Sequence, residues 1–179
     1  MAITRLGPNQ SVNLANNVTG TLPAANVANS TLNNVTALPA AITTGKVLQV
    51  LTATDDTERS TTSTSMVTAS NTLSVAITPA STASKFFIQV NAAGYNDDNG
   101  ATGHYTVYRD STDLGNGTQG LTANRTDQNS RFPTSFGVLD SPSASSQITY
   151  QVYFRAGSGT IYLGAYPVRK TITVFEIAG

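Results

Sequence analysis

A chain of 179 residues with ten basic and ten acidic side chains, one histidine and no cysteine carries no net charge, and only 11% of its residues are charged. That balance argues against a phosphate-tracking nucleic-acid binder, and the missing cysteines exclude disulfides, thiolate metal sites and cysteine nucleophiles. Thr, Ser, Asn and Ala stand where charge is usual, which suits a surface that meets other copies or sugars rather than one kept soluble by charge.

Residues 1–44 form an arm of their own. Arg5 is the only charged residue before Lys46, and the segment has no aromatic side chain. The opening residues Met1 to Pro8 show no apolar run of a secretory signal, and no apolar stretch in the chain has the length of a membrane helix. Synthesis in a cytoplasm without membrane insertion is therefore expected. Asn17-Val18-Thr19 leading to Leu22-Pro23-Ala24-Ala25 is echoed by Asn34-Val35-Thr36 leading to Leu38-Pro39-Ala40-Ala41, a repeated local unit. Pro23 and Pro39 interrupt any continuous helix. The apolar residues Val12, Leu14, Val18, Leu22, Val27, Leu32, Val35, Leu38 and Ile42 are too small and too spaced to make a core alone. A disordered tail is the plain alternative. The richer reading is an arm completed by other copies, Val and Leu facing inward and Asn and Thr bonding laterally.

Residues 45–179 read as a meander of short strands with period-two alternation. In chain order these are Val47 to Leu51, Leu73 to Ile77, Phe86 to Val90, Tyr105 to Tyr108, Phe136 to Val138, Ile148 to Phe154, Ile161 to Leu163 and Ile172 to Ile177. The separators carry turn chemistry: Asp97-Asp98-Asn99-Gly100, Asp113-Leu114-Gly115-Asn116-Gly117, Leu139-Asp140-Ser141-Pro142 and Gly157-Ser158-Gly159. The expected fold is all-β, an antiparallel, jelly-roll-like sandwich head behind an extended arm.

Nothing in the sequence assembles a catalytic constellation. His104 is the only histidine, no Gly-x-Ser-x-Gly is present, and the plain expectation for His104 is a loop-edge residue bonded to a neighbour. The acids fall nearly all in turn-like segments, and no pair is singled out for glycoside hydrolysis. Glu176 is odd, lying on the strand face of Ile172 and Val174, which suggests an arginine partner or an interface. Asn96 to Gly100 is rich in oxygen ligands, but a hairpin turn uses the same residues. No enzyme, metal or cofactor is therefore expected. Seven tyrosines dominate the aromatics, and alternation turns Tyr108 and Tyr153 away from the faces of Tyr105 and Tyr150. Outward tyrosine stacks on sugars and bonds them through its hydroxyl. Tyr95, Asp97, Asp98, Asn99, Tyr108 and Tyr153 are accordingly the candidate surface-binding residues.

Several segments together resemble the fibre and virion-surface proteins of tailed phages, those of cyanophages among them. They are Met1-Ala2-Ile3-Thr4-Arg5-Leu6, Asn17-Val18-Thr19-Gly20-Thr21-Leu22-Pro23, Gly45-Lys46-Val47-Leu48-Gln49-Val50, Ser74 to Pro79 with Ser84-Lys85, and the ending Ile172 to Gly179. The resemblance implies a homotrimer on the phage particle whose N-terminal arm docks on tail or capsid. In this chain that arm includes Arg5, Leu14, Val18, Leu22, Val27, Leu32, Val35 and Leu38. It also implies a C-terminal β head exposed for adsorption to host-surface glycan. Tail fibres are generally much longer, so a head fibre or a capsid decoration (cement) protein is the alternative expectation.

Overall fold

The computed structural model describes residues 45–125, 127, 129–164 and 168–179. The arm residues 1–44, with the docking positions from Arg5 to Leu38, lie outside the described residues, as does Tyr166.

The described residues contain twelve strands: β1 (Val47–Asp55), β2 (Arg59–Thr61), β3 (Val67–Thr68), β4 (Ser74–Ile77), β5 (Lys85–Asn96), β6 (Thr102–Arg109), β7 (Thr112–Asp113), β8 (Thr122–Arg125), β9 (Ser130–Asp140), β10 (Ile148–Ser158), β11 (Ile161–Leu163) and β12 (Lys170–Ile177). All pairings are antiparallel. In the first sheet β5 pairs with β9 along one edge and with β12 and then β11 along the other; β1 extends β12, and β2 extends β11. In the second, β10 pairs with β6 on one side and with β4 and β3 on the other, and β6 carries β7 and β8. Short strands that continue one another along an edge merge into single rows, which leaves four rows per sheet. Numbered along the chain, the rows run 1-8-3-6 and 2-7-4-5, the strand order of a jelly roll.

Alternation decides what lies between the sheets. Phe86, Ile88 and Val90 of β5, Ile172 and Val174 of β12, Tyr105 and Val107 of β6, and Tyr150, Val152 and Phe154 of β10 are all buried. With Leu73, Val75, Ile77, Ile161 and Leu163 they form one core. Burying each such side chain contributes about 1.5–3 kcal/mol.

The inner face of β12 reads Lys170, Ile172, Val174, Glu176: an apolar middle with a buried charge at each end. Among the described residues no arginine pairs with Glu176, a correction to that expectation, and the side chain is turned into the head, fully buried, rather than outward. Its carboxylate accepts from the Gln49 side chain at 2.5 Å and from the Ala80 N–H at 2.7 Å. Burial alone would raise its pKa, but the Ser84 hydroxyl, the Gln49 amide and the Ala80 N–H outweigh that and hold it below the usual value. At the other end Lys170 donates to the Thr57 carbonyl at 2.6 Å and lies 3.9 Å from Asp55.

Two separators are strand instead. β9 runs through Leu139 to Asp140, and β10 through Gly157 to Ser158. Asp140 stays extended because it bridges the sheets, accepting from Arg109 Nη1 at 2.7 Å and from the Tyr150 hydroxyl at 2.8 Å. Asp55 likewise ends a strand rather than sitting in a turn. His104 is not at a loop edge. It lies inside β6, 6% exposed, and its Nδ1 donates to the Gln119 carbonyl at 3.3 Å. Burial lowers its pKa and the nearby Arg155 charge adds to that; the Gln119 bond opposes both.

Candidate binding surfaces

The outer face of the first sheet is built in rows that cross four strands. Val50, Phe175, Phe87 and Leu139 form one row across β1, β12, β5 and β9. Leu139 is 56% exposed, Val50 49% and Phe87 36%, and the Phe87 and Phe175 ring centres lie 6.2 Å apart. Val47 and Leu48 are also exposed beside this row. The next rows are polar and uncharged: Thr52, Thr173, Gln89 and Gly137, then Thr54, Thr171, Asn91 and Ser135. Near the far end runs Ser60, Tyr162, Tyr95 and Arg131, across β2, β11, β5 and β9.

The two ends of this face differ in what surrounds them. At the apolar end the chain enters the head, with the Gly45 N–H on the Ala178 carbonyl and the Ala178 N–H on the Lys46 carbonyl. At the tyrosine end the β5–β6 turn meets the β10–β11 connection, where Asp98 accepts from the Thr160 N–H at 3.0 Å. Tyr95 and Tyr162 lie with ring centres 5.2 Å apart. The Tyr95 hydroxyl donates to Asn129 Oδ1 at 2.5 Å and the Tyr162 hydroxyl to Asp97 Oδ2 at 2.9 Å. The bond to Asp97 and partial burial raise the pKa of Tyr162, which remains a phenol and a hydrogen-bonding group. These tyrosines are half-buried, leaving part of each ring for a flat ligand to stack on.

The six sequence candidates therefore divide. Tyr95, Asp97, Asp98 and Asn99 gather at this end of the first sheet, joined by Tyr162 and Asn129, which the sequence did not single out. Tyr108 and Tyr153 lie on the outer face of the second sheet, stacked at 4.1 Å with planes 27° apart. The apolar row was also missed. Its signal was present: Phe86 and Phe87 are both large and apolar, so that strand carries bulk on both faces. Asp97 to Gly100 forms the expected turn, with Gly100 at φ +74°. No group of three or more metal-ligating acids or histidines occurs among the described residues, and no helix among them has the length and apolarity to cross a membrane.

No protein-family profile matches the chain. No curated protein matches it either. Among solved structures, a chain of the T13 particle of infectious bursal disease virus is similar with 13% identity and a TM-score of 0.41, covering 75% of this chain and 36% of that one. The VP2 subviral particle of the same virus gives 14% identity and a TM-score of 0.39, covering 73% and 38%. This chain thus spans little more than a third of either. Likenesses this distant carry no weight for function; the jelly-roll order stands on the strand pairings.

Proposed function

We propose that this chain is a structural protein of a phage particle, a homotrimeric surface appendage of tail- or head-fibre type. In this reading residues 1–44 attach it to other virion proteins, and the head is exposed for adsorption to host-surface glycan. The observation that carries the reading is the polarity of one sheet face. Apolar surface collects where the chain enters the head, and tyrosine, aspartate and asparagine collect at the opposite end. An apolar patch of this kind marks a contact with protein. The outer edge of β1 pairs with no described strand and carries exposed Val47, Val50 and Leu51, an edge that closed symmetry would cover. The low share of charged residues, 11%, and the zero net charge suit packing against identical copies.

Capsid decoration is the second reading. It is favoured by the apolar row lying broadside on the sheet, where a capsid shell would cover it as well as a copy would. Adsorption separates the two. Full-length protein is added to host cells and bound protein is counted, with a Tyr95→Ala, Tyr162→Ala double variant beside it. The appendage reading expects binding that the variant lowers about tenfold, since two aromatic contacts at about 0.5–1.5 kcal/mol each are removed. Absence of binding by the parent protein argues for decoration.

A further inference from the structure

The outer face of the second sheet holds a cleft of about 370 Å³, within the range of roughly 300–1,000 Å³ usual for small-ligand sites. Thr64, Ser65 and Met66 form one wall, Gly117 and Thr118 the other, and Tyr108, Asp113 and Arg155 line it as well. The second wall is fixed by backbone bonds. The Leu114 N–H donates to the Val107 carbonyl and the Leu121 N–H to the Tyr105 carbonyl, laying the loop flat on β6. Gly120 makes this approach possible: its φ is +68°, and a Cβ there would lie 2.5 Å from the Tyr105 carbonyl oxygen.

Arg155 is the unusual member. It is 9% exposed, its Nε donates to the Thr118 carbonyl, and its Nη1 reaches the carbonyls of Thr64 and Ala156. No carboxylate among the described residues lies within ion-pair distance of it. A guanidinium so placed has given up most of its water without gaining a counter-charge. Asp113 has the opposite deficit. Its Oδ1 accepts from the Thr106 hydroxyl at 2.6 Å and the Gly115 N–H at 2.9 Å, while its buried Oδ2 has no donor. Of the residues that line the cleft, Arg155 thus has no anionic partner and Asp113 one oxygen without a donor, beside the Tyr108–Tyr153 stack.

We propose that this cleft binds an acidic sugar unit. Its carboxylate meets Arg155, a hydroxyl donates to Asp113, and its apolar ring face packs on Tyr108. A small anion such as acetate satisfies Arg155 but offers Asp113 no donor and Tyr108 no ring face, and a neutral sugar leaves Arg155 without an anion. The inference does not rest on the virion reading, and the site is on the sheet opposite Tyr95 and Tyr162.

The test is a titration of isotope-labelled full-length protein with glucuronate and with N-acetylneuraminate, followed by NMR, with glucose, acetate and phosphate as controls. The expected result is that at least one acidic sugar shifts the signals of Thr64, Asp113 and Thr118. Glucose, acetate and phosphate should each bind roughly tenfold more weakly or worse, as loss of one charged hydrogen bond implies. Arg155→Gln and Tyr108→Ala should each weaken binding, the first by roughly tenfold or more. Tyr108 is partly exposed, so its variant keeps the test valid if Arg155→Gln fails to fold. The proposal is overturned if neither acidic sugar shifts these signals at roughly 50 mM, a concentration that reveals even weak millimolar binding. It is equally overturned if glucose or acetate binds as well, if the shifts map to Tyr95 and Tyr162, or if Tyr108→Ala binds like the parent.

Discussion

The knot at the Lys170 end of β12 makes a quantitative prediction about acid. Asp55 is held at a pKa of about 2, against 3.8 for the free side chain. Burial pushes the other way; the Ser70 hydroxyl, the Thr57 N–H, the Lys170 charge and Arg59 overcome it. Because the folded value is depressed, the contribution is fully present above the unfolded pKa and lost as pH falls through the folded one, so the window runs from about pH 4 down to about 2. A shift of that size is worth about 2 kcal/mol, and with the side chain only 4% exposed little of it is lost to solvent screening. Asp55→Asn should lower stability at neutral pH by about this amount, the loss of the Lys170 counter-charge included, since protonation of Asp55 removes the same charge from the parent. The gap between parent and variant should close by about 2 kcal/mol between pH 4 and pH 2. Urea unfolding followed by circular dichroism at several pH values measures it. A gap that stays constant across this window would refute the account of the knot.

Three further outcomes are expected. Glu176→Gln turns an amide toward the Gln49 amide and the Ala80 N–H, and costs about 2 kcal/mol in urea unfolding. Gly120→Ala forces a Cβ onto the Tyr105 carbonyl at positive φ, and lowers Tm by roughly 5 °C in a calorimetric scan. Val50→Lys with Leu139→Lys leaves head stability within about 0.5 kcal/mol, since both sites are exposed. In the oligomer reading the same pair converts full-length protein to monomer in analytical ultracentrifugation.

The strands with alternating apolar residues were legible in the sequence because one face of each packs in the core. Phe86 to Val90 and Ile148 to Phe154 are the clearest cases. The short strands β2, β3, β7 and β8 were not. Arg59-Ser60-Thr61 and Thr112-Asp113 have no apolar pattern and become strands only by pairing with β11 and β6. Leu139-Asp140-Ser141-Pro142 has turn chemistry, yet Asp140 is held in β9 by Arg109 and Tyr150, contacts that local sequence does not display. Glu176 announced itself as odd, but its partner Gln49 is 127 residues away. Four of the six tyrosine-site candidates converge, while Tyr108 and Tyr153 lie apart because neighbouring rows belong to different sheets. Tyr162 was hidden by the brevity of β11, whose pairing with β5 alone brings its ring to Tyr95.

The central claim is membership of a virus particle. Quantitative mass spectrometry of particles purified from cells expressing this gene during infection tests it most directly. The appendage reading predicts the chain at on the order of tens of copies per particle, in multiples of three, and decoration predicts hundreds. Absence of the chain from purified particles would contradict both.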